Sequence, residues 1–205
     1  MVEEINKDMW NFAQVGELDW HKNNNWRADD WNFILNTQTL FDALGYHSRN
    51  AYANKYVLDV GAGPRLRTKF WKDVILYAIE PLGKEYMDAF YWCDLLDSVL
   101  YTKPIEEFIP ELENKFDFII SINALDHCYN FSDALENIKR YVKKEGEILL
   151  SYDCHTGNDP LHPLGLNIDI SIEYLKRCGL SIVGEGWKTN PYGLGEYSIN
   201  YWLSK

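Results

Sequence analysis

The chain of 205 residues is long enough for one domain of ordinary size, with room for an appended segment. Its apolar content of 46% supplies a core, while a formal net charge of −11 sets it against phosphate backbones and anionic membrane surfaces. The four cysteines, Cys93, Cys128, Cys154 and Cys178, form no CxxC pair, zinc spacing or disulfide framework, which fits a reducing cytoplasm. The N-terminus has no signal-peptide pattern, and no run approaches the roughly 20 apolar residues of a membrane span.

Residues 1–30 scatter Trp10, Trp20 and Trp26 among Asn and Asp with no clear period, and read as a cap or lid. A helix is predicted from Asp30, capped by Asp30, with Trp31, Ile34, Leu35, Phe41 and Leu44 as its apolar stripe and Gly45 as its stop. Strands and helices then alternate. "YVLDV" (56–60) is a short buried strand, and "PRLRTKFWKD" a compact helical crossover opened by Pro64, where a missing N–H costs little. "VILYAIE" (74–80) is the second strand. "GKEYMDAFYWC" puts Tyr86, Ala89, Phe90 and Cys93 on one helical face. "SVLYT" (98–102) and "KFDFIISIN" (115–123) are the third and fourth strands. "FSDALENIKRYV" carries Phe131, Ala134, Leu135, Ile138, Tyr141 and Val142 at helical spacing, with Lys143 and Lys144 near its end, where cations are favoured. "GEILLSYD" (146–153) is the fifth strand, and "SIEYLKRC" (171–178) a helix ended by Gly179. "LSIVGEGWK" and "EYSINYWLSK" are the last strands, the latter with Tyr197, Ile199, Tyr201 and Leu203 on one face.

This alternation predicts an α/β fold with a doubly wound, mostly parallel sheet and helices on both faces. Ligands of such sheets bind beyond the carboxyl ends of the strands, near the point where strand order reverses. The glycine turn after the first strand belongs there, with Glu80, Asn123 to His127, and Asp153 to His155.

Gly61 and Gly63 form GxG between a strand and a predicted helix, so the backbone can turn tightly and approach a ligand. A dinucleotide loop carries a third glycine for helix–strand packing, and Leu66 stands there instead. Asp59 beside the loop suits a positively charged group. Glu80, about 20 residues on, is spaced to accept hydrogen bonds from ribose hydroxyls. The expected ligand has a ribose and a cationic group but no phosphate, which describes S-adenosylmethionine.

"VLDVGAGP", "AIEP", "FDFIISINALDH", "GEILLSYD" and the two-strand C-terminus resemble the class I, seven-stranded S-adenosylmethionine-dependent methyltransferases. Among these they are most similar to the small-molecule, type 11-like branch. The resemblance covers roughly residues 50–205 and implies the sheet order 3-2-1-4-5-7-6 with the last strand antiparallel. It divides the chain into an aromatic-rich helical cap or lid, 1–49, and a methyltransferase domain, 50–205. It implies that Asp59, Gly61, Ala62 and Gly63 cradle the methionine part and that Glu80, next to Pro81, binds the ribose. Asn123, Ala124 and the residues up to His127 lie beside the methyl donor. Pro104 stands where an acidic residue usually contacts adenine, leaving Ile105 backbone or Glu106 as substitutes. Arg65 stands where the family often has a further glycine.

Methyl transfer from a sulfonium needs alignment of nucleophile, methyl and sulfur, and a base where the nucleophile must lose a proton. Candidates at the sheet's carboxyl edge are Asp126, His127, Asp153, His155 and His162. His127, in "LDH" where the small-molecule branch often has "LEH", is the expected base beside Asp126; its alternative role is to order the loop or touch the cofactor. His155, Asp159 and His162 lack a metal-ligand pattern, so a substrate-side loop and no metal are expected. Asn190-Pro191-Tyr192 reads as a turn. Trp20, Trp26, Trp31, Tyr46 and Tyr52 suggest an aromatic lid, with packing on the sheet the plainer role for Trp31. Arg27 is either a partner of the methionine carboxylate or a surface residue. The expected acceptor is a small molecule, a sugar or a metabolite hydroxyl or amine, with no nucleic acid or membrane partner and the oligomeric state open. The rival readings are a nicotinamide-dependent oxidoreductase, against which Leu66 argues, and a non-catalytic adenosyl-binding module of the same fold.

Overall fold

The computed structural model describes residues 4–43, 52–154, 161–166, 168–188 and 197–204. Among them are seven strands: β1 (Tyr56–Val60), β2 (Ile75–Ile79), β3 (Val99–Tyr101), β4 (Phe116–Ile122), β5 (Val142–Cys154), β6 (Ser181–Lys188) and β7 (Tyr197–Ser204). They form one sheet in the order β3-β2-β1-β4-β5-β7-β6. Pairing is parallel from β3 through β5, and β7 runs antiparallel to both β5 and β6. The expected order and the antiparallel last strand are both present.

Central strands covered on both faces are apolar throughout. In β1, Val57, Leu58 and Val60 are buried, and in β4 the run Phe118 to Ile120 is fully buried. Successive side chains face opposite ways. Leu58, Val60 and Ile119 pack with Leu135 and Ile138 of helix α4 (Phe131–Tyr141) and Leu175 of α5 (Ile168–Arg177). Val57, Phe118 and Ile120 pack on the other face with Tyr52 and Trp71. Ala78 joins Tyr86 and Phe90, which belong to α3 (Gly83–Ala89) and its C-cap. Helices therefore cover both faces.

The N-terminal region is helical, with a regularity in residues 7–23 that the sequence did not suggest. Residues Lys7–Asn23 form a helix, α1, capped by Asn6, whose side chain accepts the Asp8 N–H at 2.7 Å. Its inward face carries Trp10, Ala13, Glu17 and His21, a mixed set because it faces a cavity and not a core. The next helix, α2, spans Asp30–Ala43 as predicted, but Asp29 caps it, accepting the Asn32 N–H at 2.7 Å. Asp30 instead pairs with Arg65. The buried face of α2 carries Phe33 and Thr37 with Ile34 half-buried beside them, whereas Trp31 is 71% and Leu35 52% exposed, so the predicted stripe is only partly covered. At that exposure Trp31 is not packed on the sheet, and it is not among the residues that line the cavity α1 faces. Tyr52 is likewise no lid residue: it stacks on Phe118 beneath the sheet.

The segment from Pro64 to Asp73 is a series of turns and not a helix. Its buried side chains point in several directions, which no helical face allows. Arg65 donates to Asp94 (3.1 Å) and to the Arg27 carbonyl (2.8 Å), and Leu66 is buried against α3. Lys143 and Lys144 lie on β5 and not at the end of α4; Lys143 pairs with Asp117 at 2.9 Å. The side chains of Trp26 and Phe41, all of Leu44, Gly45, Tyr46, His155 and Asp159, and the Asn190–Tyr192 turn lie outside the described residues.

Candidate active site

β1 pairs with β2 on one side and β4 on the other, so the strand order reverses there and a crevice opens beyond their carboxyl ends. It holds a cavity of about 410 Å³, within the range of small-molecule sites. Gly61 and Gly63 take the left-handed conformation, with φ of 65° and 63°. A Cβ on Gly61 would stand 2.3 Å from the Ala124 Cβ, so the turns after β1 and β4 touch at this glycine. Asn123 is itself left-handed at φ 54°, a conformation that Asn tolerates, and this turns the chain sharply off β4.

All ten residues expected around the cofactor line the cavity: Asp59, Gly61, Ala62, Gly63, Glu80, Pro81, Ile105, Glu106, Asn123 and Ala124. Asp59 is buried and accepts the Arg67 N–H at 3.2 Å. Burial pushes its carboxyl up to about 7, although the nearby Arg67 guanidinium opposes that rise. Glu80 accepts the Gly63 N–H at 2.8 Å and the Leu82 N–H at 3.0 Å. Burial raises it to about 7, against the pull of these two donors. Glu106 turns one carboxylate oxygen to the N–H groups of Tyr129 (2.6 Å) and Asn130 (3.3 Å), which ties the loop after β3 to the loop after β4.

At the far end, His127 lines the cavity and Asp126 lies fully buried behind it. His127 Nε2 is 3.8 Å and His162 Nε2 3.6 Å from the same Asp126 oxygen. His127 Nδ1 lies 3.0 Å from the Leu161 carbonyl, which can only accept, so this nitrogen carries the proton. Burial lowers the His127 pKa, but the Asp126 and Glu17 carboxylates outweigh it and the net shift is upward. Asp153 also lines the cavity.

The sequence reading expected an N-terminal cap but did not resolve which residues of α1 face the cavity. Trp10 Nε1 donates to the His127 carbonyl at 3.0 Å, and a Cβ on Gly16 would stand 2.6 Å from the Leu161 side chain. Glu17 meets His21 at 3.3 Å and His127 at 3.9 Å. Burial opposes the charge of Glu17, yet its hydrogen bond to His21 and the field of His127 bring it down to about 2. The spacing of Trp10, Ala13, Glu17 and His21 was the available signal. Arg27, whose surface role was the plainer expectation, lines the cavity with Nη1 2.9 Å from where a Cβ on Gly63 would stand. Trp20 lines it as well.

Residues 35–175 match the methyltransferase domain family. The chain belongs to that family. It is a class I methyltransferase, and its cofactor is S-adenosylmethionine. The fold is shared with a TehB-like S-adenosylmethionine-dependent methyltransferase of Corynebacterium glutamicum, at 20% identity over 83% of this chain and 87% of that one, TM-score 0.58. It is also shared with the Burkholderia thailandensis 1,6-didemethyltoxoflavin-N1-methyltransferase, solved with its substrate and S-adenosylhomocysteine: 16% identity, 95% and 89% coverage, TM-score 0.61. The [4+2]-cyclase SpnF has the fold too, at 14% identity, 82% and 80% coverage and TM-score 0.63, so architecture alone does not fix the reaction. No curated protein matches the chain. The methyltransferase's own cavity fits the cofactor's chemistry. Two buried carboxylates with raised pKa values favour a cation, and Ile79, Pro81 and Ile105 add apolar wall. Among the described residues, no helix is long and apolar enough to cross a membrane.

Proposed function

We propose that this methyltransferase transfers the methyl group to an oxygen or nitrogen nucleophile of a small-molecule acceptor, a sugar or a metabolite hydroxyl or amine. The observation that carries the reading is the position of α1, laid across the open edge of the sheet. Its contacts with His127 and Leu161 make α1 one wall of a cavity of about 410 Å³, a size that suits a small acceptor. The net charge of −11 argues against nucleic acid as the acceptor. The Burkholderia enzyme of similar fold is named for methyl transfer to 1,6-didemethyltoxoflavin, which supports the same substrate class.

In this reading Asp59, Gly61, Ala62 and Gly63 surround the methionine part, with Arg27 taking its carboxylate. Glu80 and Pro81 meet the ribose, Ile105 and Glu106 flank the adenine, and Asn123 and Ala124 lie beside the sulfonium. When bound, S-adenosylmethionine supplies a methyl group on a good leaving group. The chain's own task is to hold the acceptor in line and exclude water. Residues 1–49 serve as the lid through α1, and His127, backed by the buried Asp126, faces the acceptor's nucleophile. The test is incubation with panels of sugars, phenols and amines, read by mass spectrometry for S-adenosylhomocysteine and a methylated product. Acceptor-dependent formation of both is expected. Transfer to RNA or protein, with no small molecule methylated, would overturn the reading.

A further inference from the structure

We propose that Asp126, His127 and His162 form a binding site for one divalent cation of the zinc class at the acceptor end of the cavity. Their three ligand atoms lie within 4.8 Å of one another. An ion bound at roughly 2.0–2.2 Å in a tetrahedral arrangement separates its ligand atoms by roughly 3.4 Å. The two imidazole nitrogens stand 3.8 and 3.6 Å from one oxygen of Asp126, too far for a hydrogen bond and close to that spacing. His127 adds a second observation. Its Nδ1–H is held by the Leu161 carbonyl at 3.0 Å, the support that metal-bound imidazoles have. Its Nε2 is buried, makes no hydrogen bond among the described residues, and is turned to Asp126.

Two imidazoles and one carboxylate suit zinc and its neighbours better than magnesium or calcium, which prefer oxygen ligands. Three protein ligands leave a fourth position, and His127 and His162 both line the cavity, so that position opens toward the acceptor. A hydroxyl or amine of the acceptor fits there. His127 is then a ligand and not the free base that the sequence suggested, and the site departs from the expectation of no metal. The ligands come from the loops after β4 and β5, 35 positions apart in sequence, so no local spacing announces them.

The inference rests on side-chain geometry and not on the acceptor's identity, so the two can fail separately. The test uses the full chain, stripped with a chelator and titrated with zinc sulfate by calorimetry and with cobalt(II) by visible absorption. One ion per chain is expected, with intense tetrahedral cobalt bands. His162→Ala should weaken zinc binding beyond the roughly 10–100-fold that losing a supporting residue costs. If far-UV circular dichroism shows that variant unfolded, His162→Gln, which keeps the bulk, replaces it. No stoichiometric ion in the parent protein, or equal affinity in the His162 variant, would overturn the site. S-adenosylmethionine is titrated into the same metal-free protein: if it fails to bind while zinc binds, the cofactor assignment falls and the metal site stands.

Discussion

Glu80 reaches back from the end of β2 and accepts the N–H of Gly63 at 2.8 Å, closing the glycine turn onto the neighbouring strand. The other Glu80 oxygen accepts the Leu82 N–H, so one carboxylate fixes the exits of both β1 and β2. The residue expected to meet the ribose is therefore also the latch that shapes the loop. Glu80→Gln replaces one acceptor oxygen by a donor facing an N–H, which costs roughly 1–3 kcal/mol for a buried group left unsatisfied. We expect at least about tenfold weaker S-adenosylmethionine binding by calorimetry. Unchanged affinity would remove Glu80 from the cofactor site.

Asp59 and Glu80 both titrate near pH 7 because burial disfavours their charge. These folded values lie above those of the unfolded chain, so the native protein holds extra protons between about pH 4 and about pH 7. Stability of the ligand-free protein should fall as pH rises through that window. A cationic cofactor favours the ionised forms, so its binding should release protons near neutrality. Its affinity should drop as pH is lowered from about 8 to about 6, by up to about tenfold per pH unit for each proton. Calorimetry in two buffers of different ionisation enthalpy measures the release; identical heats in both would contradict it.

Gly61 and Gly63 share a left-handed backbone but not the same surroundings. Alanine at either position pays roughly 1–2 kcal/mol for the conformation. Gly61→Ala also drives its Cβ to 2.3 Å from the Ala124 Cβ, whereas Gly63→Ala meets the far end of the long Arg27 side chain at 2.9 Å and His21 at 3.7 Å. Urea unfolding should rank Gly61→Ala as clearly the more destabilised. Equal losses would mean that the turns after β1 and β4 are not in contact.

Arg65→Met removes the guanidinium that links Asp94, Asp30 and the Arg27 carbonyl while keeping a long apolar stem over Phe33. Asp94 is buried and keeps Lys69 at 3.3 Å as its remaining cation. Losing one partner of a buried pair costs about 3–5 kcal/mol, and Lys69 should hold the loss near the lower figure. Thermal denaturation of Arg65→Met, of Asp94→Leu and of Arg65→Met/Asp94→Leu measures this. The double variant also loses the Leu66 N–H bond to Asp94 (2.8 Å), so its loss should fall short of the sum of the two single variants; a fully additive loss would mean that Arg65 and Asp94 do not act as a pair.

Where burial follows a simple period, the sequence was readable. The apolar runs of β1 and β4 and the stripe from Phe131 to Tyr141 are covered as their spacing implies, and the sheet follows from them. The site's glycines and carboxylates were readable because a backbone turn and a buried charge require particular residue types. What could not be read is what faces a cavity. Glu17 and His21 look like surface residues on a helix, yet both point inward, where they pair with each other and Glu17 also meets His127. The turns from Pro64 to Asp73 hid for a related reason: Arg65 is buried by its partners and not by apolarity. His162 belongs with Asp126 only through the sheet that brings two loop ends together.

The wall formed by α1 has an implication for biosynthesis. α1 is made well before its partners: Trp10 must wait for His127, and Gly16 for Leu161, before its inward face is covered. Contacts of such sequence separation form late and at high loop-closure cost. The strands can therefore begin to gather around the glycine turn while α1 still hangs free, and the reaction chamber gains this wall only once the segment bearing Leu161 has followed.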